Sequence, residues 1–586
     1  MKYKILFAVA VIFSLVLCFH PVLAQDAEET KNNFEVKVDL GAHWTDWDKY
    51  RGKVGEYEVL DRGILPDVGI DIKGFTNRKF LELQGFYYHE DDLYLSTDID
   101  LNRILREEFS YFRMPHFLEH DPLKNLNAVF RNPAGDPVPP VNEFTDLDAG
   151  SEYMIRYSTL KSKTTFRLPF LPGSEVFFDY RKEQRQGHRQ AITISKCSSC
   201  HVVSQGREID EYTEDLNPGF KAKFGNEKSG WLTVSYDYLK RRFGETGADP
   251  RNSYNPAVHP ATGLPVFTSR VQYENDNLPY NVVPSSEKDT HTIKAHGQLP
   301  TVATDVFTSY VNSTTKNTHV GNTYDLNSFI GRITNTLVPG LALSGKFRWM
   351  DIDNDDVFVQ VTEQPPLAGP EAGLTYSEVH PDFNPEFYRK SAMNRKVYET
   401  EISAKYRLIK HLTLRGVFVW RSTDRDYYEV EAGETKTDEY TARVGLSFRK
   451  AKLYGNINYE HQEIDDPFAN PGAACNPSGT NVPGATAFTG LQYFQFYNMR
   501  QLTLSNLPDK KDQVSASATW AVSPYVSLSG YYRYINESND FDWDREAHMP
   551  SISLLYSPSR QLNFTLSYLY NYLKTNSLIC EPVFTG

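Results

Sequence analysis

Apolar and polar residues alternate with period two along much of this chain. Near its end Leu562, Phe564, Leu566, Tyr568, Tyr570 and Tyr572 alternate with Asn563, Thr565, Ser567 and Asn571. Val526, Leu528, Gly530, Tyr532 and Tyr534 alternate with Ser527, Ser529, Tyr531 and Arg533. Tyr440, Ala442, Val444, Leu446 and Phe448 alternate with Thr441, Arg443, Gly445, Ser447 and Arg449. At the other end Phe34, Val36, Val38, Leu40, Ala42 and Trp44 alternate with Glu35, Lys37, Asp39 and His43. Successive side chains of a strand point to opposite faces, so this pattern predicts half-buried strands. Runs of about ten residues match what a tilted strand needs to cross a bilayer.

The connections alternate in length. Short turns fall at Asn77-Arg78, Leu171-Pro172-Gly173, Pro339-Gly340, Lys410-His411, Lys450-Ala451, Ser523-Pro524 and Pro558-Ser559. Long polar segments intervene near 45–65, 114–158, 187–215, 243–287, 353–396 and 465–511. Outer-membrane barrels have short periplasmic turns and longer extracellular loops, whereas a soluble sandwich or propeller does not call for such alternation. The fold expected is all-β, a large transmembrane antiparallel β-barrel. About 21 strands can be counted, and about 22–26 are expected, because bacterial barrels have even strand numbers. The last clear strand, Gln561 to Leu573, should run outward, and the tail Pro582 to Gly586 has no closing aromatic strand. Either one strand escapes the pattern or the chain is C-terminally truncated.

Residues 1–24 read as a secretory signal peptide: Lys2 and Lys4, then the apolar run Ile5 to Leu17, then Val22-Leu23-Ala24 before Gln25. Cys18 follows Leu17, not the small residue a lipid-anchor signal needs, so it belongs to the removed segment. Residues 25–586 then form the barrel, with a distinctive loop at about 187–215. No other apolar stretch is long enough for a helical span. The net charge of −13 becomes −15 without Lys2 and Lys4, which argues against nucleic acid as a partner. Aromatic content is 13%, with 37 Tyr and 35 Phe, yet mean hydropathy is only −0.51. That mixture suits strands with one face in lipid and the other in water better than one dry core.

Within the 187–215 segment lies Cys197-Ser198-Ser199-Cys200-His201, a C-x-x-C-H string. This is the attachment signature of c-type haem: two thiols bond the porphyrin vinyl groups and the adjacent imidazole ligates the iron. A local Cys197–Cys200 disulfide and half of a zinc site are the other readings; no second cysteine pair is present to complete the zinc site. The chain is poor in cysteine, and the export signal implies an oxidising compartment. That leaves Cys475 and Cys580 as a potential pair. One haem c is therefore expected on Cys197, Cys200 and His201, with His201 as proximal iron ligand. His188, nearest in sequence, is the first candidate for the distal ligand; His116, His120, His259 and Met114 are the others. Arg181, Lys182, Arg185, His188 and Arg189 form a basic stretch able to balance haem propionates.

Three stretches resemble the MtrB/PioB family of outer-membrane porins: Arg78-Lys79-Phe80-Leu81-Glu82-Leu83, Phe109-Ser110-Tyr111-Phe112-Arg113-Met114-Pro115-His116-Phe117, and Asp179-Tyr180-Arg181-Lys182-Glu183. The likeness is mainly architectural, over most of 34–573. It implies a bacterial outer-membrane barrel that sheathes a periplasmic multihaem c-type cytochrome for extracellular electron transfer, with an outer-surface multihaem cytochrome as a further partner. Members often carry a cysteine pair near the mature N-terminus, and here none lies between Gln25 and Lys196. A single porphyrin cannot conduct across an apolar band of about 25 Å, so the cytochrome must supply the rest of the path. A passive diffusion porin with a Cys197–Cys200 disulfide is the alternative. No nucleophile–base constellation marks the chain as an enzyme.

Overall fold

The computed structural model describes residues 33–46, 63–76, 78–123, 143–194, 201–253, 277–360, 393–425, 436–465, 508–539, 543–559 and 561–577, with a few shorter pieces between them. Among the described residues strands dominate, and 23 of them belong to one sheet. Among the described residues no helix is long and apolar enough to cross a membrane. Two compact units are distinguished: residues 1–222, 237–255 and 276–288, and residues 223–236, 256–275 and 289–586.

The first unit is a meander. Asn33–Thr45, Gly63–Phe75, Lys79–His89, Asp92–Leu101, Leu105–Leu118, Tyr153–Arg167, Glu175–Ile194 and His201–Asn226 each pair antiparallel with the next. The register lines apolar side chains into one row across six strands: Val38, Ile70, Gly85, Leu95, Tyr111 and Leu160. One residue further along, the opposite face carries Asp71, Gln84, Ser96, Ser110, Lys161, Arg181 and Asp215 in a polar row. A neighbouring polar row sets Glu82, Asp98 and Glu108 directly opposite one another, which alone would be repulsive. Arg106 lies 2.8 Å from both Asp98 and Glu108, and Lys73 lies 3.1 Å from Glu82. Cations on adjacent strands thus neutralise the acidic row.

The second unit repeats the plan from Thr304–Asn317 to Asp544–Ser559. The final pass, Leu562–Leu569 and Tyr572–Asn576, pairs with Asp544–Ser559 through both of its pieces. Leu343, Ala404, Gly416, Val444, Tyr459, Val514 and Tyr534 form its apolar row. Its polar face again pairs charges across strands: Lys346 with Glu399 at 2.7 Å, Lys511 with Glu460 at 2.9 Å, and Arg545 with Glu537.

Short turns gather at one end of the strands, at 76–78, 102–104 and 168–174 in the first unit and at 336–340, 410–411, 451–452 and 524–525 in the second. The longer connections lie at the other end, which also carries the two-residue turn at 90–91 and the turn at 318–322. The apolar face stays uncovered: Leu40 is 79% exposed, Ile64 76% and Leu566 73%. Each Å² of such surface left in water forgoes about 25 cal/mol, so a face this extensive calls for hydrocarbon.

One expected connection is not a loop. Most of 187–215 is strand: Glu175–Ile194 continues past the membrane-length segment, and the chain re-enters the sheet at His201. Period two is lost there because the outer halves of these strands meet polar segments of the same chain, not lipid, so neither face needs to be apolar.

Ile457 and Asn458 are consecutive residues on opposite faces of Leu453–Asp465, Ile457 being 53% exposed in the apolar face. Ile457→Arg is expected to destabilise the folded protein by about 2–4 kcal/mol, whereas Asn458→Arg is expected to cost less than about 1 kcal/mol. Equilibrium denaturant unfolding in lipid vesicles measures both.

Candidate functional site

The segment 195–200, with Cys197 and Cys200, lies outside the described residues, as do Cys475, Cys580, His259 and the signal peptide. The structure describes what the segment is mounted on. Glu175–Ile194 has 20 residues and His201–Asn226 has 26, making this the longest strand pair among the described residues. Their register runs continuously up to Ile194 opposite Val202. The neighbouring strand Tyr153–Arg167 keeps pace only to Met154 opposite His188. Beyond that level the hairpin stands above its neighbour.

Gly187 sits at this boundary, opposite Ile155, with φ of 148°. A Cβ there would lie 2.0 Å from the Met154 carbonyl oxygen, so only glycine lets the two backbones approach as they do.

Above Gly187 two segments clamp the hairpin. The first comprises residues 120–123 and 143–153. Its short strand Glu143–Asp146 pairs in parallel with His201 to Ser204, and the Leu147 amide donates to the Ser204 carbonyl at 2.8 Å. Ser204 Oγ donates to Asp146 Oδ1 at 2.9 Å, and the Gly206 amide donates to Asp148 Oδ2. The Gln190 side chain acts as a strand partner for Asp121: its amide donates to the Asp121 carbonyl at 2.6 Å, and its Oε1 accepts from the Asp121 N–H at 2.9 Å. Gln190 also donates to Ser204 Oγ at 3.0 Å.

The second segment comprises 245–253 and 277–281. Arg207 is fully buried, with Glu245 at 3.4 Å and Asp249 at 3.6 Å. Glu245 Oε1 accepts from the Asp210 amide at 3.0 Å, Gln205 donates to the Arg251 carbonyl at 3.1 Å, and Arg189 donates to Asn281 at 3.0 Å. Thr246 Oγ1 donates to Asp210 Oδ2 at 2.7 Å. Ala191, Ser204 and Arg207 are at 0% exposure, Tyr153 at 1%, and Leu123 and Ile209 at 2%. Apart from Pro115 and Ser174, the most completely buried side chains of the first unit are therefore in and around this clamp.

Burial pushes the Asp146 carboxyl up, but hydrogen bonds from Ser204, the Asp148 amide and His120 outweigh it and hold it below the ordinary carboxylate range. Asp210 is held low by Thr246 and Gln186 against partial burial, with help from Gln184 and Lys182. Burial, reinforced by Asp148, Asp146 and Tyr280, pushes the Tyr153 phenol up to about 12.

The sequence-predicted ligands fall at different heights. His201 opens its strand, directly after the segment. His188 lies opposite Glu208, about seven residues or about 23 Å below the level of His201. His116 is lower still, opposite Ile155; it bonds Glu56 at 2.8 Å and stacks on Tyr57 at 4.6 Å. Met114 lies opposite Tyr157. His120 alone among the described candidates reaches the clamp, with Nε2 2.6 Å from Asp146 and Nδ1 2.9 Å from the Ser151 carbonyl. Sequence reasoning missed Gln190, Ser204, Asp146, Arg207 and Asp210, since isolated polar residues in a non-periodic stretch carry no signal of a shared contact.

Gly187→Ala is expected to destabilise the clamped hairpin by about 1–3 kcal/mol. Hydrogen exchange at 202–206 would then rise about tenfold or more while the membrane-spanning strands keep their protection. Asp210 is depressed in the folded state, so its contribution is complete above the unfolded value of about 3.9 and is lost as pH falls through the folded one. Protection of the Thr246 amide, corrected for intrinsic exchange, should therefore decline below about pH 4, and Asp210→Asn should abolish that dependence.

The chain is similar to several solved outer-membrane iron receptors at 9–10% identity. The ferric citrate transporter FecA matches over 93% of this chain and 78% of its own, at 10% identity and a TM-score of 0.37. The ferric enterobactin receptor PfeA from Pseudomonas aeruginosa matches over 92% and 74%, at 10% identity and a TM-score of 0.43. The FrpB iron transporter from Neisseria meningitidis matches over 91% and 77%, also at 10% and 0.43. No curated protein matches. The family model for the outer membrane beta-barrel porin MtrB/PioB matches residues 48–581, nearly the whole chain. With its all-strand architecture and uncovered apolar face, the chain belongs to the MtrB/PioB family of outer-membrane β-barrel porins.

Proposed function

We propose that this porin sheathes a periplasmic multihaem c-type cytochrome for electron transfer across the outer membrane, carries one haem c of its own, and catalyses no reaction. The observation that supports the reading is the clamped hairpin whose described register ends at Ile194 opposite Val202, the two positions that flank the Cys197-Ser198-Ser199-Cys200-His201 string in sequence. Long connections are extracellular in outer-membrane barrels. Cys197 and Cys200 would bond the porphyrin and His201 would ligate its iron. The chain's own residues suit such a group: the strand ends on both sides of the motif are held by side-chain hydrogen bonds, and Arg189 lies at the same level as the clamp. When bound, the haem supplies a one-electron carrier. The clamp fixes its attachment point, and the charge-paired polar face offers a cytochrome a wall of hydrogen-bonding groups. A multihaem cytochrome at the outer surface is the natural recipient or donor on the far side.

The test is native production with the c-type haem attachment machinery and a periplasmic multihaem cytochrome. Covalent haem that survives denaturation, loss of that haem in Cys197→Ser with Cys200→Ser, and reduction of a vesicle-enclosed acceptor only when the cytochrome co-purifies are the expected results. Unmodified thiols, together with ion conductance from the barrel alone, would identify a passive diffusion pore.

A further inference from the structure

We infer that the short-turn half of the second unit's polar face docks an acidic protein surface carried by the lumen guest; this rests on the sheath reading above. Residues 402–423 contain Lys405, Arg407, Lys410, His411, Arg415 and Arg421 but no carboxylate. Residues 440–459 contain Arg443, Arg449, Lys450 and Lys452, again with none, and 513–536 and 547–576 are likewise free of Asp and Glu. In a chain of net charge −13, the acids of these strands are confined to the long-connection half, as at Glu399, Glu439, Glu460 and Glu537.

The register sets four of the cations on one face. Lys405 lies directly opposite Arg415, and Arg407 and then Arg449 occupy the next two same-face rows toward the turns. All four are exposed, and among the described residues none is paired with a carboxylate. Like charges directly opposite repel, so this arrangement costs stability unless an outside anion meets it. Elsewhere the chain avoids that cost. Higher on the same face Arg443 bonds Glu460 and Lys346 bonds Glu399. At the short-turn end of the first unit Arg167 lies 2.8 Å from Asp100, and Lys221 lies 3.7 Å from Glu175. Asp305, at this end of the second unit, is already taken by His296 at 2.8 Å and Arg332 at 3.8 Å.

The wall beside the cations is low. Ser447, Asn456 and Ser517 continue the row of Arg407, and Thr519, Ser529 and Ser553 continue that of Arg449. Thr519 and Ser529 bond each other at 3.1 Å, which keeps their side chains along the sheet and lets a guest approach closely. A protein seated here strips water from unpaired cations, a step that is favourable only if it brings carboxylates to them. Short turns are periplasmic in outer-membrane barrels, so the same field steers an acidic periplasmic protein toward this face. Lipid headgroups fit less well, since the apolar row of Ala404, Gly416 and Val444 lies on the opposite face.

The experiment places the full-length protein in phosphatidylcholine nanodiscs and follows the anisotropy of fluorescein-labelled deca-glutamate. Wild type should bind the probe, less tightly as KCl rises from about 50 to about 300 mM. Lys405→Gln with Arg415→Gln should weaken binding about tenfold or more, and Lys405→Glu with Arg415→Glu should abolish it. Lys79→Gln, at the short-turn end of the first unit, should match wild type. A wild type that ignores the probe, or binding unchanged in both double variants, overturns the inference. So does an effect of the substitutions confined to thermal stability in phosphatidylglycerol nanodiscs, which would identify a headgroup anchor. Co-production with the multihaem cytochrome separates the two readings. No cytochrome retained by wild type overturns the sheath, whereas equal retention by wild type and both double variants overturns this inference alone. Heat-modifiable electrophoretic migration checks that each variant has folded.

Discussion

Hydrocarbon offers no partner to a peptide N–H or C=O, so every backbone group within a bilayer must be bonded inside the protein. Between neighbouring strands of each unit this chain answers that requirement with antiparallel ladders whose register continues strand after strand. Once the ladder is fixed, the pleat sends alternate side chains to opposite faces, and a slip of one residue would turn every charge toward lipid. The rows from Val38 to Leu160 and from Leu343 to Tyr534 are consequences of that register. So is the high exposure of Leu40 and Leu566, which hydrocarbon covers.

The same constraint shapes the polar face. A wall that lines a wet lumen or a protein guest can carry charge, but neighbouring strands lie under 5 Å apart, and like charges directly opposite repel. The chain answers with cross-strand neutralisation: Arg106 between Asp98 and Glu108, Lys73 at Glu82, Lys346 at Glu399 and Lys511 at Glu460. Despite its acidic total, the wall presents paired charges in these rows. They offer hydrogen-bonding groups in place of a strong single-sign field.

Above the membrane the rules change. The outer halves of Glu175–Ile194 and His201–Asn226 are held by side chains, not lipid, and several of those side chains are polar and fully buried. Burying Arg207 beside Glu245 and Asp249 contributes little net stability, yet removing one partner would leave an uncompensated charge. Such a network specifies one arrangement at modest energetic gain.

The period-two runs, the short turns and the long connections determined the strands, their faces and the direction of the chain, because a bilayer imposes one rule on every crossing. The C-x-x-C-H string raised the expectation of a porphyrin, since two thiols and an imidazole at that spacing suit one. The sequence could not show that 187–194 and 201–215 are strand, because outside lipid neither face has to be apolar and the periodic signal disappears. Nor could it show that His188, His116 and His120 stand at different heights, for nearness along the chain says nothing of pairing register. Only the tertiary structure set their heights. Pairing register fixes vertical position to within a residue, and the parallel strand Glu143–Asp146, formed by a segment more than 50 residues away in sequence, brings His120 against the upper hairpin.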